Sequence, residues 1–94
     1  MKGWEYHGLH IAAPAKDHDR VEWFPSVPRV DRVRVRDHTC CVCDEVVFEL
    51  CTAGGLWFVR RLTVSAPVSV VESEWQSARE AVELWRRLLR GQAR

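Results

Sequence analysis

The stretch Asp44–Leu62, DEVVFELCTAGGLWFVRRL, decides the architecture. Two runs rich in Val, Phe and Leu, Glu45–Cys51 and Leu56–Leu62, flank the break Thr52-Ala53-Gly54-Gly55. β-Branched and aromatic side chains suit the pleated, half-buried surface of a strand, and glycine takes positive φ without a Cβ penalty. The pattern predicts a β-hairpin with a loop of about four residues rather than a two-residue primed turn. Alternation sets Val46, Phe48 and Leu50 against Val47, Glu49 and Cys51 on the first arm. On the second it sets Trp57, Val59 and Arg61 against Leu56, Phe58, Arg60 and Leu62. Both faces carry apolar groups, so the hairpin belongs at the centre of a sheet.

Downstream, Trp75, Ala78, Val82, Trp85 and Leu89 recur at steps of three and four residues, with Ala81 and Leu88 widening the stripe. That spacing predicts an amphipathic helix over Glu72–Arg90. Ser73 with Gln76 offers an N-terminal capping box, Arg86, Arg87 and Arg90 suit the negative end of the dipole, and Gly91 supplies the stop. The stretch Val64–Val71, which holds Pro67, reads as an edge strand or a connection.

Upstream, Arg32, Arg34 and Arg36 alternate with Val33 and Val35 at the end of a strand expected over Val30–Arg36. The arginine row either grips phosphate or a partner's carboxylates, or is a solvated outer face that guards an edge strand by charge. Residues 1–29 read as an arm with one or two short strands, around Trp4–Tyr6, Leu9–Ile11 and Val21–Phe24, the last ended by Pro25 and Pro28. The expected whole is one α+β domain over residues 1–94: the arm 1–29, a three- to four-stranded, mainly antiparallel sheet over 30–71 around the hairpin 45–62, and one C-terminal amphipathic helix over 72–90, packed on the sheet.

Composition narrows the function classes. A chain of 94 residues with 47% hydrophobic content can build a core without staples. The net charge of +1 gives no overall electrostatic case for a polyanion. Residues 1–51 carry nine acids against seven bases, a net −2, whereas residues 52–94 carry four against seven, a net +3. No signal-like segment or membrane-length apolar run is present, which points to the cytoplasm, where cysteines stay reduced or bind metal.

The reactive groups concentrate in His38-Thr39-Cys40-Cys41-Val42-Cys43, with Cys51 beyond. Cys40 and Cys43 have the C-x-x-C spacing that lets two thiolates meet one Zn²⁺, and His38 with Cys51 would complete a four-ligand structural zinc site. The competing reading is reduced cysteines packed as small apolar groups, with no cofactor. No nucleophile elbow, P-loop or dinucleotide glycine pattern appears, which makes an enzyme the weakest class.

The stretches FELCTAGGLWFVRR (Phe48–Arg61) and ELWRRLLRGQAR (Glu83–Arg94) resemble a group of small uncharacterised actinobacterial proteins, Streptomyces-like, that carry a Gly-Gly hairpin before a Trp-containing terminal helix. The resemblance covers the C-terminal half and implies a bacterial cytosolic protein in a regulatory role, with no catalytic motif to transfer.

These observations give a leading expectation and two alternatives. The first is a non-enzymatic protein-interaction module, homodimeric or bound to another protein, in a regulatory or assembly role, with Trp4, Tyr6, Trp23 and Phe24 as contact residues. The second is a zinc-stabilised nucleic-acid-binding domain that uses Arg60, Arg61, Arg86, Arg87, Arg90 and Arg94. The third is a small cysteine-dependent enzyme built on Cys40, Cys43 and a histidine.

Overall fold

The computed structural model describes residues 8–26, 32–40, 45–64 and 67–94. Its elements in chain order are β1 (Phe24–Pro25), β2 (Arg34–His38), β3 (Val46–Ala53), β4 (Leu56–Thr63), β5 (Ser69–Glu72) and α1 (Ala78–Leu89). The architecture is α+β, and the sheet has five strands in the order β1-β5-β4-β3-β2, every pair antiparallel. That is more than the three or four expected. The arm contributes β1, and β5 lies inside the sheet between β4 and β1 rather than at its edge. Pro25 sits in β1, an edge position where its missing N–H interrupts no ladder.

The hairpin stands at the centre, tighter than expected. Ala53 pairs with Leu56, so Gly54 and Gly55 alone form the turn, both with positive φ (58° and 81°). Positive φ at both central residues is the signature of a type I′ turn, whose twist matches the strands it joins. The strands therefore absorb Thr52 and Ala53. Face assignments follow the alternation: Phe48 opposes Arg61, Leu50 opposes Val59 and Thr52 opposes Trp57 on one face, and Cys51 opposes Phe58 and Glu49 opposes Arg60 on the other.

The helix is shorter than the apolar spacing implies and starts at Ala78, with Ser77 as N-cap. The Ser77 hydroxyl accepts from the Glu80 backbone N–H while the Glu80 carboxylate accepts from the Ser77 N–H, a complete capping box. Glu72 ends β5 instead, and Ser73 and Gln76 bond to the backbone of β4. The Ser73 N–H donates to Val59 O at 2.8 Å and its hydroxyl accepts from Val59 N at 2.9 Å, so Ser73 extends the β4 ladder and cannot cap. Gln76 exchanges both backbone hydrogen bonds with Trp57. Trp75, which fits the helical stripe by spacing, goes to the opposite sheet face and stacks on Phe58 with ring centroids 4.6 Å apart.

The main core lies between α1 and the sheet. Phe48, Leu50, Val59, Ala81, Trp85, Leu88 and Ala93 form it, with Leu9, Ile11, Val21 and Trp23 of the arm packed against it. The helix ends in a Schellman motif: the Gln92 N–H donates to Arg87 O and the Gly91 N–H to Leu88 O, with Gly91 at φ 74°. The arm closes this end. Ala12 N donates to Leu89 O, Ala15 N to Gly91 O and Asp19 N to Gln92 O, so helix-terminal carbonyls that would otherwise lack donors are satisfied. Among the described residues no helix is long and apolar enough to cross a membrane.

Candidate functional site

Arg34 and Arg36 sit on β2 and Arg32 just before it; among the described residues β2 pairs with β3 and, at its His38 end, accepts one backbone hydrogen bond from Leu9. The register places Arg34 opposite Thr52 and Val35 opposite Cys51, then shifts between Val35 and Asp37. The shift is a β-bulge at Arg36. Arg36 keeps to the side of Arg34, as alternation requires, and its Nε–H donates to Thr52 Oγ1 at 3.2 Å, while the extra residue brings Asp37 opposite Leu50. Its guanidinium carbon stands 5.9 Å from the centre of the Trp57 ring, within cation–π range. Arg32, Arg34, Arg36, Thr52, Trp57 and the Ala53–Gly55 turn enclose a cleft of about 260 Å³. Among the described residues no acidic side chain lines it. The three arginines are exposed, while Trp57 is half-buried and Thr52 buried, so exposed cations stand over a packed wall.

The opposite sheet face has a different character. The register carries His38, Glu49, Arg60 and Glu72 across β2, β3, β4 and β5 in one row. Arg60 Nε donates to Glu49 Oε1 at 2.9 Å, and the Trp75 indole N–H donates to Glu72 Oε1 at 2.9 Å. These charges offset one another within the molecule. Beside them Cys51, Ala53 and Phe58 form a second buried cluster, covered by Val33 and Trp75. Val35 and Leu56, each 45% exposed, flank it.

The expected metal ligands are not gathered by their described members. His38 lies in β2 with Nδ1 3.1 Å from the Thr39 carbonyl oxygen, and the buried Cys40 donates its backbone N–H to Leu9 O. Cys51 is buried in β3 with its Sγ 3.7 Å from Glu49 O. Burial pushes the Cys51 thiol up to about 11, with the Arg60 guanidinium opposing and the Glu49 carboxylate adding to the rise. At neutral pH burial therefore holds it as the protonated thiol. Among the described residues no three His, Cys, Asp or Glu side chains stand together as a metal-holding group. Cys43 lies outside the described residues.

The expected contact residues divide in the same way. Trp23 is half-buried, donates its indole N–H to Arg94 O at 2.9 Å and faces Phe48 at 6.0 Å, so it pins the C-terminus to the core. Phe24 is 42% exposed on edge strand β1, and Trp4 and Tyr6 lie outside the described residues. The six arginines expected to meet nucleic acid do not form one surface. Arg60 and Arg61 point to opposite faces, Arg61 stands 5.8 Å from the Trp23 ring and Arg94 5.7 Å from the Phe48 ring. Arg87 pairs with Asp19, and Arg86 and Arg90 are exposed on the last turns of the helix.

No family model, curated protein or solved structure matches the chain. Its own geometry carries the functional argument.

Proposed function

We propose that the chain is a non-enzymatic interaction module, in a regulatory or assembly role, that engages an anionic partner through the Arg32–Arg34–Arg36 cleft. The observation that carries this reading is three guanidinium groups around one cleft, with no carboxylate in its lining among the described residues. Guanidinium is planar, always protonated and suited to bidentate contact with oxyanions. The rest of the lining is an indole, a hydroxyl and glycine backbone. Such groups hold a charge in place but neither take up nor release a proton near neutral pH, which favours binding over general acid–base chemistry. Arg36, clipped to Thr52 and set against Trp57, gives up less side-chain freedom on binding than a free surface arginine.

The test is a titration of the protein with inorganic pyrophosphate, followed by NMR of arginine Nε–H and tryptophan indole N–H resonances. Shifts confined to Arg32, Arg34, Arg36 and Trp57, lost in an Arg32→Gln/Arg34→Gln variant, are expected. Unmoved resonances at all four positions would overturn the reading.

A second reading, self-association, is favoured by a separate observation. Val35 and Leu56 are exposed beside the Cys51–Phe58 cluster on the face that carries no helix. A homodimer through that face would bury them and leave the arginine cleft, on the other side, free for its partner. Native mass at increasing concentration decides it: a Val35→Glu variant remains a monomer where the parent chain doubles its mass.

A further inference from the structure

The cleft has dimensions that narrow its partner. Arg32 and Arg36 are four residues apart, so at about 3.3 Å per residue the row spans at most roughly 13 Å. One compact oxyanion reaches only part of that length, whereas a chain with repeated charges runs along all of it. The cleft, about 260 Å³, is below the range of roughly 300–1,000 Å³ typical of pockets that swallow a small ligand, and among the described residues it lies open along the sheet edge at Arg32–Arg36. It is shaped as a trough that a polymer crosses.

Two kinds of polymer carry such a charge array, an acidic extended peptide and a single strand of nucleic acid. A peptide would gain most by adding as a strand to the β2 edge, using main-chain hydrogen bonds. The bulge between Val35 and Asp37 works against this, because it breaks the regular ladder that a further strand needs. The wall of the trough points the other way. Trp57 is half-buried against the core, with the Arg36 guanidinium over its ring at 5.9 Å, where a base would compete with that guanidinium for the exposed part of the indole. An aromatic face beside a line of cations is the arrangement on which unpaired bases stack while their phosphates are neutralised.

We infer that the cleft is a track for single-stranded nucleic acid, in which Arg32, Arg34 and Arg36 meet successive backbone phosphates and Trp57 receives a base. The inference rests on the anion-binding reading above and names its partner. It moves the contact away from the dispersed arginines of β4 and α1 to the β2 edge.

The experiment is fluorescence anisotropy of a labelled twelve-nucleotide oligothymidylate with the full chain, between 50 and 200 mM salt. Three phosphate contacts give a slope of about −2 for log affinity against log salt, a loss of roughly twentyfold across that range. Arg34→Gln is expected to weaken binding and to reduce the slope to about −1.4, the value for two contacts. Arg34 is exposed, so this variant keeps the fold. The duplex of the same length is expected to bind more weakly, because its bases are not free to stack on Trp57. A twelve-residue polyglutamate peptide is the control for charge alone. Equal or tighter binding of the peptide would overturn the nucleic-acid assignment and leave the anion reading standing. Equal binding of the duplex, or an oligonucleotide affinity untouched by Arg34→Gln, would also overturn the assignment. Binding of neither polymer at 50 mM salt would overturn both readings.

Discussion

Cys51 makes the stability of the fold sensitive to alkali in a calculable way. Its thiol is fully buried in β3, and burial raises its pKa from the usual 9.0 to about 11. In the unfolded chain the same thiol ionises near its usual value. Above that pH the native state therefore holds a proton that the unfolded state has released, and stability falls as pH rises. The contribution is intact below pH 9.0 and is lost progressively up to about 11. At about 1.4 kcal/mol per pH unit the full loss is about 3 kcal/mol, and roughly half of it has gone by pH 10. The other ionisable groups titrate in both states as well, so the comparison needs a Cys51→Ala variant. That change removes the thiol and lowers stability by an amount independent of pH. Urea unfolding followed by tryptophan fluorescence at pH 8 and pH 10 is the assay. With a denaturant slope of about 1 kcal/mol per molar urea, the parent midpoint should fall by roughly 1 M more than the variant's between the two pH values. Equal falls in both proteins would mean that the native thiol ionises as freely as the unfolded one. Burial would then not be what holds the Cys51 proton in the native state.

Other expectations concern the elements that position the cleft. Leu88 is fully buried between α1 and the sheet, so Leu88→Ala should cost about 2–5 kcal/mol and lower the thermal midpoint accordingly. Ser77→Ala removes the N-cap and should cost about 1 kcal/mol by urea unfolding, with the helix still formed by circular dichroism. Gly55→Ala meets no atom and should carry only the cost of positive φ, roughly 1 kcal/mol. Gly91→Ala adds to that cost a collision with the Ala13 carbonyl oxygen, so it should be the more destabilising of the two by thermal denaturation.

The hairpin faces were legible because period-two alternation survives without knowledge of the partner strands: Phe48, Leu50 and Val59 pack toward the helix as their spacing requires. The start of the helix was not legible for a physical reason. Trp75 satisfies the helical spacing and Ser73 looks like a cap, yet backbone pairing of Ser73 with Val59 and of Gln76 with Trp57 keeps both in the sheet. Non-local hydrogen bonds had outweighed a local pattern, and the real cap, Ser77 with Glu80, is an equally good capping box four residues later. The two-glycine turn was hidden by the same blindness to register, since only the pairing of Ala53 with Leu56 shows that Thr52 and Ala53 belong to a strand.

The candidate site follows that division. Its charges were visible as the alternation Arg32, Arg34, Arg36, but alternation alone is also what a solvated edge strand shows. What separates the two is the company the arginines keep, and that depends on register. Thr52 reaches Arg36 only because it lies in β3 opposite Arg34, and Trp57 joins them only because a two-residue turn brings it opposite Thr52. A four-residue loop would have left Thr52 outside the strand and Trp57 without its partner. Edge protection asks only that charge point outward. It does not ask that one guanidinium be clipped to a buried hydroxyl and set against an indole, and that added order is the part of the arrangement that the proposed binding role accounts for.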